Sequence, residues 1–311
     1  MPGNVTVGVD GTPESLAALD WAAAEAVLRE VPLRIVHIQD WPVPPAYIEH
    51  VETWPSSSAV PESSERFRKY EELLQQEAAT AQRSHPGLTV TAENLAGVGL
   101  ASTALLAEAE MPGRVDLLVL GSKGLDSFTG FVIGTTSLPV AAASERPVVL
   151  VRSQASHSGQ PEAHTEALTG RVVLGIDLKG AEANEAVLEF GFVEAARRSC
   201  HLQILHAWSL PPMYAYAETA DPGIGEELAG NIASNLDRLV EPWRQRFPDV
   251  SVQTKAVVGA PGAELVYASP DADLLIVGRR KRPLPVGPRL GHVAHAVIHH
   301  ATSPVAVVPH P

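Results

Sequence analysis

The stretch VTVGVD, residues 5–10, returns later in the chain as VVLGID, residues 172–177. Three further blocks return in the same order: residues 33–37 as 202–206, residues 116–121 as 273–278, and residues 146–151 as 303–308. Four matched blocks in one order are not expected by chance. The chain is therefore interpreted as two tandem copies of one structural unit.

Each copy alternates short, β-branched apolar runs with stretches of helical character. This alternation predicts parallel strands covered on both faces by crossover helices. Helices are expected in the first copy at residues 14–29, 65–84, 101–110 and 135–144, and the third strands near residues 88–95 and 250–258. The predicted fold class is α/β, with two tandem open parallel five-stranded sheets that carry helices on both faces, a Rossmann-like arrangement.

The polar segment SQASHSGQPEAHTEALTG, residues 153–170, shows neither helical nor strand periodicity and is predicted to be a linker. It separates domain 1, residues 1–152, from domain 2, residues 171–311. The segments Trp41–Pro61 and Trp208–Pro222 are too long for simple connections and are candidate lids or partner surfaces. The duplicated apolar closing strands predict that the copies pack as an intramolecular pseudo-dimer, and a homodimer of whole chains stays open.

Composition narrows the class of protein. With 311 residues and 45% hydrophobic residues, the chain can form two domains with real cores. A net charge of −13 disfavours binding to nucleic acids and to anionic membranes. One cysteine excludes an intrachain disulfide, and neither a signal peptide nor an apolar run of about 18 residues is recognised, so we expect a cytoplasmic protein.

A glycine-containing loop follows the strand that ends at Leu120: GSKG at residues 121–124, nine further residues, and then GTT at residues 134–136, which opens a helix. Ligands of open parallel sheets bind beyond the carboxyl ends of the strands. Glycines allow the backbone to approach phosphate oxygens, and a helix N-terminus offers N–H groups. A triphosphate is the natural ligand of such a loop, and the alternative is that the glycines only shape a turn and start a helix.

The spacing Gly-x2-Gly-x9-Gly-Ser/Thr of residues 121–135 resembles that of the ATP-binding members of the universal stress protein family. Residues 9–15 resemble the opening segment of that family, His37-Ile38 the end of its second strand, and Pro147-Val148-Val149 its closing strand. The duplicated arrangement resembles the tandem members common in actinobacteria. The resemblance implies an adenine nucleotide alpha hydrolase-like fold in each copy, and closing strands that meet across the pseudo-dimer.

The resemblance also implies a ligand, ATP, alone or with Mg²⁺ or Mn²⁺. It puts Asp10, flanked by Val9 and Gly11, near the ribose or a phosphate-bound metal. Ile38 would lie against the adenine, and Gly97 near the ribose. The residues that it puts around the phosphates are Gly121, Ser122, Gly124, Gly134, Thr135 and Thr136. Asp10 also precedes a helix and could serve as its N-cap, and both roles can hold together.

The second copy departs from the family pattern. Lys281 stands where the second glycine belongs, and His292 follows Gly291 where the family has Ser or Thr. The basic run at residues 279–282 could hold phosphate by charge, or the loop could have lost nucleotide binding and kept a solvated basic surface. Both interpretations stay open.

Other patterns are set aside. The run at residues 97–102 is close to a dinucleotide fingerprint but lacks its last glycine, and the chain has no Gly-x4-Gly-Lys-Ser/Thr motif. Four histidines share one predicted helix without a carboxylate, so a structural role is preferred to a metal site: His292, His295, His299 and His300. His37 and His206 end matching strands and are predicted to be buried and hydrogen-bonded.

The favoured functional hypothesis is an ATP-binding, non-enzymatic regulator of the universal stress type, with an unidentified protein partner. Nucleotide occupancy would bias the long segments or a partner surface. One alternative is a slow ATPase or nucleotidyl-transferring enzyme that uses Asp10 with a bound metal. Another is a scaffold that binds no nucleotide. The preference among ATP, AMP and cyclic AMP stays open.

Overall fold

A computed structural model describes residues 3–41, 61–98, 100–122, 135–153, 170–178, 181–209, 223–270, 272–281 and 290–311. The chain divides into two compact units, Met1–Ser153 and Gln154–Pro311. Each unit contains one run of parallel strands with helices packed on them, which confirms the predicted fold class. Among the described helices, none combines the length and the apolar character needed to cross a membrane.

The first unit has the strands β1 (Asn4–Gly8), β2 (Leu33–Trp41), β3 (Val90–Val98), β4 (Val115–Ser122) and β5 (Val148–Arg152). Its helices are α1 (Pro13–Arg29), α2 (Pro61–Ser84), α3 (Ala101–Glu110) and α4 (Ser137–Ala143). The strands pair in parallel in the order β3-β2-β1-β4-β5. The direction of winding therefore reverses between β1 and β4, which is where open sheets of this kind bind ligands.

The second unit repeats this plan with β6 (Arg171–Gly175), β7 (His201–Trp208), β8 (Val252–Val258), β9 (Leu274–Arg280) and β10 (Val305–His310). Its described helices are α5 (Ala181–Arg198), α6 (Gly223–Arg246), α7 (Pro261–Ala268) and α8 (His292–His300). The parallel order within the unit is β8-β7-β6-β9-β10. The topology of the two units is the same.

The central strands are continuous apolar runs because helices cover both faces of the sheet. Val5 and Val7 of β1 and Leu117 of β4 have no exposed surface. Helix α1 buries a stripe of small side chains at intervals of four residues, Ala18, Ala22 and Ala26. Small side chains on one face allow this helix to lie close to the strands.

Two polar contacts, one hydrogen bond and one ion pair, occur at matching places in both units. The carboxylate of Asp116 accepts a hydrogen bond from the Gly3 N–H (2.7 Å), and that of Asp273 accepts one from the Arg171 N–H (3.0 Å). Each bond ties the start of the first strand of a unit to the start of its fourth. The first helix of each unit also carries a buried glutamate paired with an arginine one turn later, Glu25–Arg29 and Glu194–Arg198.

Several boundaries differ from the sequence-based expectations. Helix α2 begins at Pro61 rather than residue 65, and α4 spans Ser137–Ala143 rather than residues 135–144. Strand β2 runs on to Trp41. Residues 154–169 of the linker, and residues 42–60 and 210–222 of the long segments, lie outside the described residues. The expectations for these segments, and the pseudo-dimer, stay predictions.

Candidate functional site

A cleft of about 690 Å³ lies in the first unit, beyond the carboxyl ends of β1, β2 and β4. This is the position at which the strand order reverses. The cleft brings together six of the predicted site residues from separate parts of the chain: Val9, Asp10, Ile38, Gly121, Thr135 and Thr136. Side chains of α2 and α3 complete the lining.

Asp10 anchors the turn that leads into α1. Its Oδ1 accepts hydrogen bonds from the N–H of Thr12 (3.0 Å) and from the Thr12 hydroxyl (2.6 Å). Thr12 in turn is the N-cap of α1, because its Oγ1 accepts a hydrogen bond from the Ser15 N–H (3.3 Å). The interpretation of Asp10 as the N-cap is thereby corrected: Asp10 orients the residue that caps the helix.

The same contacts determine the charge of Asp10. Burial by itself raises the pKa of its carboxyl, but hydrogen bonds from Thr12 and Ser15 outweigh burial and hold the pKa below its ordinary value. The electrostatic effect of His37 acts in the same direction. The cleft therefore carries a carboxylate that stays ionised at neutral pH.

Gly11 and Gly121, both at this edge of the sheet, are glycines for different structural reasons. Gly11 has a φ of 81°, in the left-handed region that favours glycine. At Gly121 a Cβ would lie 2.6 Å from the backbone carbonyl carbon of Glu14 and 2.7 Å from the Ser15 nitrogen. Gly121 is thus required for the close approach of β4 to the first turn of α1, and its carbonyl accepts a hydrogen bond from the Ser137 hydroxyl (2.6 Å).

The lining of the cleft also includes aromatic and apolar side chains. Nδ1 of the buried His37 donates to the carbonyl oxygen of Val9 (2.7 Å), since a carbonyl can only accept, and the ring of Tyr70 stacks on the imidazole. Ile38 follows in the chain and is largely buried. The prediction of a buried, hydrogen-bonded His37 is confirmed.

Lys69 and Tyr70 of α2 line the cleft and were missed by the sequence analysis. They lie far in the chain from the glycine loop and belong to no motif. Nothing in the amphipathic pattern of α2 alone indicates which of its residues meet the carboxyl ends of the strands. These two residues add a cation and an aromatic ring to the site.

Three other predicted residues that the structure describes are not among the lining residues of the cleft. Gly97 lies in β3, in register with Asp40 of β2. Ser122 is the last residue of β4 and is buried, and Gly11 belongs to the turn before α1. Gly124 and Gly134 fall outside the described residues. The prediction that these glycines hold phosphates stays a prediction.

The second unit keeps part of this arrangement. Nδ1 of His206 donates to the Ile176 carbonyl (3.0 Å), which repeats the bond between His37 and Val9. The side-chain amide of Asn184 donates to the Asp177 carbonyl (2.6 Å). The prediction that His206 is hydrogen-bonded is confirmed. The prediction that it is buried is only partly met, because its side chain is half-buried.

The helix that faces the cleft differs between the units. Helices α2 and α6 each contain 24 residues. Aligned end to end, they put Asn231 and Ile232 of α6 at the positions of Lys69 and Tyr70. At these two positions of α6 there is neither a cation nor an aromatic ring.

Within the described ranges, three or more His, Cys, Asp or Glu side chains do not come together in a group that could hold a metal ion. An ion at the cleft would consequently need oxygens of the ligand as well as Asp10. The phosphate-bound metal stays an expectation.

Two tandem open parallel sheets, the first with a cleft at its switch point, define a tandem α/β protein of the small-molecule-binding type. The model of the universal stress protein family matches residues 1–152 and 169–309, and the chain belongs to this family. The resemblance found in the sequence is confirmed.

Curated relatives share the two-domain length. A universal stress protein of Mycolicibacterium smegmatis is 30% identical over 312 residues, which cover 98% of this chain and 96% of the relative. One of Mycobacterium tuberculosis is 31% identical over 316 residues, covering 97% and 96%. The crystal structure of a universal stress protein from Archaeoglobus fulgidus covers 98% of each chain with a TM-score of 0.66 and 18% identity, a likeness that concerns the fold.

Proposed function

We propose that the first unit binds an adenine nucleotide, with ATP as the preferred ligand, and that the protein is a nucleotide-dependent regulator in the stress response. The observation that carries this proposal is the convergence of Asp10, Ile38, Thr135 and Thr136 on one cleft at the switch point. The cleft volume of about 690 Å³ falls within the range of small-molecule sites, about 300–1,000 Å³.

The end of the cleft near β2 suits a base. Ile38 offers an apolar side chain, and Tyr70 offers an aromatic ring held by its stack on His37. A purine is flat, largely apolar on its faces and polar at its edge. An apolar wall with an aromatic neighbour accommodates the faces of such a ring with little ordering cost, because the His37–Tyr70 pair is already fixed.

Other lining residues suit phosphates. Thr135 and Thr136 contribute hydroxyls, and Lys69 contributes a positive charge. Helix α3 begins beside the cleft with Leu100 as its N-cap, and no side chain caps its first turn. Its first N–H groups are therefore open to an anionic ligand. The carboxylate of Asp10 fits a hard ion such as Mg²⁺ or Mn²⁺ carried by the phosphates.

The regulatory role that we propose needs no catalytic base, and the lowered pKa of Asp10 disfavours that use of its carboxylate. An effective general base needs a pKa near the working pH. The pKa of Asp10 lies below its ordinary value, so this carboxylate is a weak base towards an attacking water. Residues 42–60, by contrast, connect β2 with α2, and both of these elements contribute to the cleft. Ligand binding can therefore bias this segment.

The first test is mass spectrometry of the small molecules released when the purified, full-length protein is denatured. Calorimetric titration with ATP, ADP, AMP, cyclic AMP and GTP then ranks the ligands. We expect an adenine nucleotide in the first assay and the tightest binding for ATP in the second. Failure to find or bind any nucleotide would favour the scaffold hypothesis, and multiple-turnover release of ADP or AMP would favour the enzyme.

Matched variants locate the site. Thr136→Val removes one hydroxyl from the cleft, whereas Thr103→Val alters an exposed position of α3 that does not line it. Loss of one hydrogen bond to a charged phosphate should weaken ATP binding by about 1.5–3 kcal/mol. The Thr103 variant should bind like the unchanged protein. Equal affinities in both variants would move the phosphate site away from Thr136.

A further inference from the structure

His295 and His299 lie one turn apart on α8 of the second unit, and their Nε2 atoms are 3.2 Å apart. The ring centroids are 4.2 Å apart, with an angle of 51° between the planes. We propose that this histidine pair chelates one divalent transition-metal ion of the kind that favours imidazole, namely zinc, nickel or copper. The site is independent of the nucleotide cleft of the first unit.

The separation of the two nitrogens suits a shared ion. An imidazole nitrogen binds such an ion at about 2.0–2.1 Å. With bonds of this length, two nitrogens are about 3.3–3.4 Å apart around a tetrahedral ion and about 2.9 Å apart when their bonds form a right angle. The distance of 3.2 Å lies between these values. A linear arrangement would need about 4 Å at the same bond lengths. The pair is therefore spaced for cis chelation.

The position of the pair is fixed before any ion binds. His299 is only 6% exposed, so packing restricts its ring, while His295 is exposed and leaves the site open to solvent. Helix α8 packs on α7 where Gly262 meets Ala296. A pre-positioned ligand loses little conformational entropy when it coordinates an ion.

The location also favours a cation. His299 lies in the last turn of α8, where the unpaired carbonyl groups give the helix its negative end. The described residues offer no third His, Cys, Asp or Glu side chain to complete a cage. Water or an outside donor would fill the other coordination positions. The donors are imidazole nitrogens, whereas Mg²⁺ and Ca²⁺ prefer carboxylate and other oxygen donors, so these two ions should bind poorly at this site.

The alternative is an ordinary pair in which one imidazole donates a proton to the other. Both arrangements place the nitrogens close together, so only the response to metal separates them. Two tethered ligands bind an ion far more tightly than either does alone, because the second contact is intramolecular. Removal of one histidine should consequently cost at least about tenfold in metal affinity.

The test uses the full chain, freed of metal with a chelator and titrated without nucleotide. Ni²⁺ binding is measured by calorimetry, and Cu²⁺ coordination by electron paramagnetic resonance, which reports coupling to ligand nitrogens. His295→Ala is the diagnostic variant because His295 is exposed and its loss spares the core. His300→Ala, an exposed neighbour on the same helix, is the control for binding by the other histidines.

We expect a site of one ion per chain with two coupled nitrogens in the unchanged protein and in His300→Ala. Ni²⁺ should also raise the melting temperature of both. In His295→Ala the affinity should fall at least about tenfold, and the rise in melting temperature should be lost. Equal binding in the two variants, or no rise in melting temperature in the unchanged protein, would show a plain hydrogen-bonded pair and overturn the proposal.

Discussion

The imidazole of His37 and the phenol ring of Tyr70 lie face to face, with ring centroids 3.8 Å apart and planes 15° apart. His37 is held in turn by the hydrogen bond from its Nδ1 to the Val9 carbonyl. The stack therefore connects α2 to the central strands at one end of the cleft. Tyr70 is placed by His37 rather than by its own helix alone.

Tyr70→Ala should weaken adenine nucleotide binding, and Tyr70→Phe should leave it nearly unchanged because the stack needs only the ring. An aromatic pair contributes about 0.5–1.5 kcal/mol beyond its buried area, so a loss of about threefold to tenfold in affinity is expected by calorimetry. Tyr267→Ala, at a residue that is 80% exposed in the second unit, is the control. An unchanged affinity in Tyr70→Ala would remove this residue from the ligand site.

Gly121→Ala should destabilise the first unit, whether or not nucleotide is present. The added Cβ would meet the backbone of Glu14 and Ser15, and backbone cannot move aside as a flexible side chain can. Overpacking of this kind costs about 1–3 kcal/mol. Gly230→Ala, in open space on α6, should instead stabilise by up to about 1 kcal/mol. Thermal melts of the two variants without ligand compare them directly, and equal melting temperatures would contradict the packing role of Gly121.

Asp10→Ala should destabilise the protein at neutral pH by about 0.5–1.5 kcal/mol, the usual net contribution of a hydrogen bond, because Thr12 loses the acceptor that orients it. The pKa of Asp10 is lower in the folded protein than its ordinary value. A carboxylate of this kind stabilises the fold above its unfolded pKa of about 3.9, and that contribution is lost as the pH falls through the folded pKa.

The difference in melting temperature between Asp10→Ala and the unchanged protein should accordingly be largest near pH 7 and shrink below about pH 4. Asp10→Asn keeps the oxygen that accepts from Thr12, so it should fall between the two at pH 7. A difference that grows on acidification would contradict the lowered pKa.

Arg34→Gln should destabilise the first unit strongly. The buried Arg34 contacts Glu93 (2.7 Å) and Glu108 (2.9 Å), and the substitution would leave two carboxylates without this partner. Breaking a fully buried pair costs about 3–5 kcal/mol. Because Glu93 is partly exposed and both carboxylates also pair with Arg114, the expected cost is about 1–3 kcal/mol. The second unit has Gln203 at the position of β7 that matches Arg34. The same fold therefore accepts glutamine at this position in a unit that has no carboxylates matching Glu93 and Glu108.

Arg68→Gln provides the matched control for Arg34→Gln. Arg68 pairs with Glu72 at 3.7 Å, and both side chains are more than 70% exposed. A pair as exposed as this contributes little to stability. Denaturant melts should therefore separate the two variants clearly, and similar midpoints would argue against a structural role for the buried pair.

Titration with ATP should give closer to one site than two per chain, with the first unit occupied. Only this unit combines the hydroxyl of Thr135 with Lys69 and Tyr70 of α2. Binding at the basic residues 279–282 of the second unit would depend on charge and would weaken as salt is added. Two equivalent, salt-insensitive sites would contradict this assignment.

The topology and one half of the candidate site follow from the sequence for a clear reason. Buried parallel strands are continuous apolar runs, so the repeated blocks identify them, and the residues just after such strands meet at one edge of the sheet. Asp10 and Ile38 were assigned through the resemblance to the universal stress protein family, and both line the cleft. The location of the cleft, where separate segments of the chain come together, could therefore be predicted from the sequence.

The remainder depends on tertiary packing. Lys69 and Tyr70 face the cleft because of how α2 rotates on the sheet, which the pattern of one helix does not determine. The spacing of Gly121 suggested contact with a phosphate, yet its nearest neighbours are backbone atoms of α1. Likewise, the four-residue spacing of His295 and His299 is visible in the sequence, whereas the approach of their Nε2 atoms depends on side-chain rotamers.

The strand order has a consequence for synthesis of the protein. β1 lies between β2 and β4, so one of its edges has no partner until residues 115–122 have left the ribosome. Unpaired strand edges on a nascent chain invite association with other chains. Translation of the second unit repeats this interval, since β6 must wait for β9, residues 274–280. The nascent chain therefore passes twice through an interval with an unpaired strand edge, and a pause in translation after residue 152 would give the first sheet time to close before the second begins.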